Sequence, residues 1–334
     1  MNSFERTWAR LEGRPCDRLP AHPIFMIYAA DLVGETYERY LKDHRILVKG
    51  QMELVARYGI DVVSCCSDPW REGADCGTPL KWFPRQPPAA LRHVVATPAD
   101  LAKLKVPDPL GGGRMTDRVK ACEEFSRQAK GQVPILGWIE GPLAQAADLH
   151  GMNELLADVA AEPEFVTAIM DFAVEMEIAF AVAQVRAGAD MIGIGDAAAS
   201  LVSPAFYRRE IQPREKKIVD AVHAAGAKAR IHICGKTDGK FKEMAATGAE
   251  LFDIDSPSDI ADARAGMPGK CLCGNLNPVK DCRDSTPARI REDLAAIHAR
   301  AGEPYILALG CEVPPGTPEE NVKAIFEYAR NAGG

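Results

Sequence analysis

Apolar residues along this chain fall into two alternating rhythms: short unbroken runs of strand length and longer stretches with helical spacing. An amphipathic entry helix over 3–12 ends at Gly13 and a proline-flanked loop. The first apolar run, 23–27, is followed by a helix over 46–58. The second, 61–65, leads into 68–113, rich in proline, glycine and tryptophan, where only one short helix, 98–104, is predicted. From there the alternation is regular. Helix 115–130 precedes strand 133–138, helices within 142–160 and a long helix over 163–187. Strand 190–195 precedes helix 204–225, strand 228–233 helix 239–246, and strand 251–254 helix 258–265. Strand 270–274 precedes helix 287–301, and strand 305–309 precedes helix 318–331.

Strands that are apolar on both faces and separated by helices belong to a parallel sheet covered on both sides. Eight such units predict an α/β fold, a (β/α)8 TIM barrel spanning 1–334 as a single domain. It would carry an N-terminal helix and an irregular insertion after the second strand. A doubly wound sheet fits less well. Gly193-Ile194-Gly195 followed by Ala198 superficially matches a dinucleotide fingerprint, but no glycine-rich loop opens a first strand–helix turn.

A barrel places its chemistry at the C-terminal ends of its strands. Polar residues at or just past the predicted strand ends are Asp68, Glu140, Asp196, His232, Cys234, Asp255, Asn275 and Cys311. Within that set, His232-Ile233-Cys234 stands out. A two-residue spacing on a strand aims imidazole and thiol to one side, and these are the side chains zinc prefers. Cys311, at the end of another apolar strand, supplies a third donor and leaves a fourth position open, as in catalytic zinc sites. One neutral imidazole and two thiolates cancel the charge of the ion. A thiol entering the open position would lose its proton readily yet stay nucleophilic, which suits alkyl transfer to sulfur. Asp196 and Glu140 are placed to bind substrate or a proton, or to cap helices. Cys271, Cys273, Cys65 and Cys66 read as core.

Composition narrows the partners. Net charge is −7 with no long basic run, so nucleic acid is not an expected partner. No apolar stretch reaches the length of a membrane span, and the first residues lack the apolar centre of a signal peptide. A cytoplasmic location is expected. Ten scattered cysteines do not make a disulfide scaffold and fit a reducing compartment.

Two runs, Cys273-Gly274-Asn275-Leu276-Asn277-Pro278 and Gly310 to Val322 (GCEVPPGTPEENV), resemble the uroporphyrinogen decarboxylase superfamily, whose members are (β/α)8 barrels. Within it, His232-x-Cys234 and the distant Cys311 are similar to the zinc motif of corrinoid-dependent methyltransferases, among them the methylcobamide:coenzyme M enzymes. That resemblance implies Zn2+, a corrinoid (methylcobalamin) presented by a partner protein, and a small thiol acceptor or a small methylated donor. By similarity to cobalamin-independent methionine synthase it also makes Asp255 a fourth, displaceable ligand, with helix capping as the other reading. Trp70 and Asn275 are the expected corrin contacts, and Asp68 and Asp196 the expected catalytic carboxylates. Trp82, Arg71, Lys81 and Arg85 would help Trp70 present aromatic and basic surface to a macrocycle or an acidic partner. The alternative within the superfamily is a metal-free decarboxylase of a tetrapyrrole acid, because Ser67-Asp68 resembles the decarboxylases' pyrrole-binding aspartate. Against it, 26–31 contains none of the arginines of their substrate loop, and Cys311 stands where they tend to carry histidine.

Overall fold

A computed structural model describes residues 1–333. Its strands are β1 (Val63–Ser64), β2 (Leu80–Phe83), β3 (Gln86–Ala90), β4 (Ile135–Glu140), β5 (Met191–Gly195), β6 (Lys228–Ile233), β7 (Leu251–Ile254), β8 (Cys271–Leu276) and β9 (Tyr305–Leu309). Seven of them form one parallel sheet in the order β1-β4-β5-β6-β7-β8-β9, and β2 and β3 form a separate antiparallel ribbon. Helices connect successive strands of the parallel sheet, and every residue of β4, β5, β7 and β9 is buried. The unbroken apolar runs are therefore the signature of strands covered on both faces.

The sheet curls until its two edges meet a common segment. Leu307 donates to Pro20 O (2.9 Å) and accepts from His22 N (2.8 Å), while on the other side Asp61 N donates to Ala21 O (3.0 Å). Residues 20–24 thus fill the eighth position between β9 and β1, with parallel bridges at Ala21–Leu307 and Ile24–Glu312. This corrects the strand expected over 23–27. The bridging residues lie earlier, and the helix Ile27–Leu32 already begins at Ile27. Pro20 and Pro23 carry no N–H, so the segment cannot run a continuous ladder.

The stretch 68–113 is also more ordered than expected. It holds the short helix Arg71–Asp75, the β2–β3 hairpin and the helix Pro98–Leu101, capped by Thr97. Pro87 and Pro88 hide the hairpin from a propensity reading, yet an isolated ribbon has free edges where missing donors are tolerated. Arg71 is not surface charge: it is 1% exposed. Trp82 is half-buried beneath Lys42, whose Nζ lies 4.0 Å from the ring centroid, and is therefore not a free rim aromatic.

Register sets the functional geometry. Glu140, Gly195, His232, Asp253, Cys273 and Ile306 pair successively across β4 to β9, forming one row. In-register residues of parallel strands project to the same face, here the barrel interior.

Candidate metal centre

His232 is the penultimate residue of β6 and Cys234 follows two residues on, so both side chains emerge at the same mouth. Cys311 follows β9, three strands away in the sheet. The curl brings them together. His232 Nε2 lies 2.9 Å from Cys234 Sγ and 4.0 Å from Cys311 Sγ, and the two sulfurs are 3.5 Å apart. A tetrahedral zinc with ordinary bond lengths would space sulfurs by about 3.8 Å and nitrogen from sulfur by about 3.5 Å. Small side-chain adjustments suffice to accommodate the ion. These three are the one group of donors close enough to share a metal ion among the described residues.

A carboxylate supports the imidazole. Asp253 Oδ2 lies 2.8 Å from His232 Nδ1, and both Asp253 oxygens accept from Arg230 Nε at 2.9 Å. With Nδ1–H donating to Asp253, loss of the Nε2 proton on metal binding would leave a lone pair directed at the sulfurs. Sequence reasoning missed Asp253. An acid in the middle of an apolar strand, two residues before Asp255, was the available signal.

Without metal the three donors hold protons among themselves. Cys311 is pushed down to about 5 by the bond from Cys234 and by the neighbouring His232, against the opposing effect of burial. Burial lowers His232, but Asp253 and the Cys311 thiolate outweigh it and raise the imidazole to about 10. Cys234 is raised, because it shares a proton with Cys311 and is largely desolvated. The metal-free site is thus an imidazolium and a thiol around one thiolate.

The donors face a cavity of about 170 Å³, whose wall includes Met26, Cys66, Asp68, Arg71, Trp138 and Glu140. Trp138 lies 5.7 Å from His232, ring centroid to ring centroid. It fits because Gly193 and Gly195 lack side chains: a Cβ on Gly193 would come within 2.4 Å of the indole. The glycine pair that superficially resembled a nucleotide fingerprint makes room for a tryptophan.

The other expected residues are placed differently. Asp68 lines the cavity, but Arg114 holds both its oxygens (2.8 and 2.6 Å) and keeps the carboxyl below its usual range despite burial. Asp196 is fully buried outside the cavity wall and accepts from Ala144 N (2.7 Å) and Leu143 N (3.3 Å), capping the helix Pro142–His150 from the next strand. Burial, partly offset by those bonds, raises it to about 6. Asp255 lies outside the group of three. Its oxygens accept from Gly235 N (2.7 Å) and Ser256 N (2.6 Å), and Asp259 caps the following helix. Asn275 donates to Ser258 O (2.9 Å), and Trp70 packs near His93 with ring centroids 6.1 Å apart; neither lines the cavity.

The family model for uroporphyrinogen decarboxylase (URO-D) matches residues 2–332. The chain belongs to the uroporphyrinogen decarboxylase family. Two kinds of relative resemble this member of the family. The methylcobamide:CoM methyltransferase MtbA of Methanosarcina mazei is 32% identical over 251 residues, covering 74% of this chain and 72% of that protein. The uroporphyrinogen decarboxylase of Azotobacter vinelandii is 31% identical over 251 residues, covering 71% of this chain and 69% of that protein. A solved methyltransferase from Methanosarcina mazei has the same fold, with a TM-score of 0.90 over 98% of each chain at 24% identity. Identity alone does not divide this URO-D family member between the two kinds of relative, but coverage does. The methylcobamide:CoM methyltransferase MtbA of Methanosarcina acetivorans is 29% identical over 335 residues, covering 98% of this chain and 97% of that protein. Among the described residues no helix is long and apolar enough to cross a membrane.

Proposed function

We propose that this chain is a zinc-dependent methyltransferase, a single cytoplasmic barrel domain that moves a methyl group between a corrinoid carried by a partner protein and a thiol. The observation that carries the reading is the convergence of His232, Cys234 and Cys311 on one cavity. Likeness to a methylcobamide:CoM methyltransferase supports it. His232, Cys234 and Cys311 would hold the ion, which supplies Lewis acidity enough to keep a substrate thiol ionised at neutral pH while leaving its sulfur nucleophilic.

The remaining work belongs to the chain's own residues. Asp253 and Arg230 orient His232, so its Nε2 stays available. Trp138 packs against the His232 ring and shields that face of the imidazole from water. The mouth is the approach for a methyl donor, because methyl transfer needs sulfur, carbon and leaving group in line. Trp70, on the loop after β1, is the proposed rim contact for the corrin, while the Asn275 amide is already committed to Ser258 O. Asp255 becomes a ligand only if it releases Gly235 N and Ser256 N.

The test is metal analysis followed by optical measurement of methylcobalamin demethylation with a set of thiols. Zinc-dependent turnover that disappears in His232→Ala supports the reading. The likeness to a decarboxylase and the place of Asp68 in the wall favour a second reading, a metal-free decarboxylase. Decarboxylation of a porphyrinogen by the metal-free protein, with no thiol methylation, would establish that instead.

A further inference from the structure

Glu140 shares the sheet row of His232, separated from it only by Gly195. Two strand spacings part their backbones, roughly 10 Å, and both side chains face the barrel interior. Glu140 is 7% exposed and lines the metal cavity. Its Oε1 accepts from Arg71 Nη2 at 2.7 Å. Its Oε2 accepts no hydrogen bond from any described residue and stands over the bare Cα of Gly195, where a Cβ would lie 3.4 Å away. The Trp138 indole lies over the same glycine, its Nε1 3.1 Å from that Cβ position, so the oxygen faces the cavity alongside the ring.

Behind Glu140 lies an unusual excess of acid. Arg71 is 1% exposed and is shared with Glu72, whose Oε1 is 3.3 Å from Nη2. Glu72 Oε2, Asp148 Oδ2 and both Glu177 oxygens are buried without a partner. Asp68 is separately neutralised by Arg114. Four buried carboxylates thus depend on one guanidinium, and such a cluster cannot ionise fully. Burial and mutual repulsion raise all four, and Glu140 is brought to about 7. The Cys66 thiol, which faces the same cavity, is also raised by burial and by Glu140. Of the four acids, Glu140 alone reaches the cavity wall.

We propose that Glu140 is the base that takes the proton of the substrate thiol, an inference that rests on the thiol-acceptor reading. The S–H bond breaks, sulfur keeps the electron pair, and the proton ends on Glu140 Oε2. The later methyl transfer then involves no proton, and the carboxyl returns its proton to solvent through the mouth when product leaves. Asp68 cannot play this part because both its oxygens are occupied. Asp253 cannot either, since it is held by Arg230 and His232.

The experiment counts protons rather than turnover. Zinc-loaded full-length protein is titrated with 2-mercaptoethanesulfonate and with homocysteine at about pH 7.5, by calorimetry in two buffers of different ionisation enthalpy. With the bound thiolate beside it raising Glu140 further, wild type should release well under one proton per thiol bound, and Glu140→Gln close to a full one. Infrared difference spectra should show a protonated carboxyl gained on thiol binding in wild type and missing in the variant. Equal proton release in the two proteins, with no carboxyl band gained, overturns the proposal while leaving thiol binding intact. If neither thiol produces saturable heat, the thiol-acceptor reading fails and this inference with it. Should Glu140→Gln not fold, the wild type decides alone: full proton release without a new carboxyl band refutes the role, and retained protons with the band support it.

Discussion

Cys234 and Cys311 place their sulfurs 3.5 Å apart although 77 positions separate them in the chain. They follow β6 and β9, which are not neighbours in the sheet, so only its curl explains the contact. Both ligands sit just past formed strands, and the fold should not need the metal. About one zinc per chain is expected to co-purify. Cys311→Ala should lose most of it while keeping the far-ultraviolet circular dichroism of the parent. Elemental analysis of the pair checks this, and full zinc in the variant would move the site elsewhere.

In the proposed zinc site, Asp253 would act on the metal through His232. Asp253→Asn should weaken zinc binding by about 10–100-fold, read by competition with a chromophoric chelator. Asp253→Ala removes in addition the partner of Arg230, which is 1% exposed. An uncompensated buried charge costs about 3–5 kcal/mol, so that variant should also melt markedly lower. Equal melting temperatures would mean that water reaches Arg230.

The proposed zinc would compete with protons for the same atoms. In the metal-free protein His232 is raised to about 10, so its imidazole is protonated at neutral pH, and Cys234 is raised as well. Binding must displace both protons. Apparent zinc affinity should therefore climb steeply with pH between about 6 and 8, by more than tenfold per unit where two protons leave together. Affinity that stays flat over this range contradicts the proton inventory. For the metal-free protein the sign reverses. The raised His232 contributes stability that is complete below its unfolded value of about 6.5 and is lost as pH rises through about 10. Urea denaturation of the metal-free protein at two alkaline pH values reads this.

Gly193 lies against the Trp138 indole, and a Cβ there would meet ring carbon Cε3 at 2.4 Å. Gly193→Ala should destabilise by about 1–3 kcal/mol and shift the indole toward the cavity. Denaturant midpoints and tryptophan fluorescence report the two effects. Unchanged values for both would show that the strand absorbs a methyl group freely.

Asp196 was expected to be catalytic, and the structure gives it a cap to hold. Asp196→Ala should cost about 0.5–2 kcal/mol as the N-terminus of helix Pro142–His150 loses its acceptor. Zinc content should stay at the parental level. Loss of methyl transfer by the milder Asp196→Asn, at unchanged stability, would restore a direct role in the reaction.

Much of the fold was legible because strand and helix rhythms are local. The apolar runs at 191–195, 251–254 and 305–309 needed no knowledge of their neighbours to be read as buried strands. The grouping of the three candidate donors was legible for the same reason. The His232–Cys234 spacing fixes a shared direction within one strand, and Cys311 marks the end of another. The partner of each buried acid was not legible, since a carboxylate reads alike in sequence whether it caps a helix, orients a ligand or faces a cavity. Asp253, Asp196 and Asp255 were sorted among these roles by strand register and by which backbone N–H groups lay within reach. The same holds for residues 20–24, whose strand-like role comes from the two sheet edges that need closing and not from their own proline-broken pattern. The chain's own alternation determined that there is a barrel-like sheet with a histidine and two cysteines at its mouth. Tertiary structure decided which acids serve them, because hydrogen bonds and charge balance act between strands that are distant in sequence.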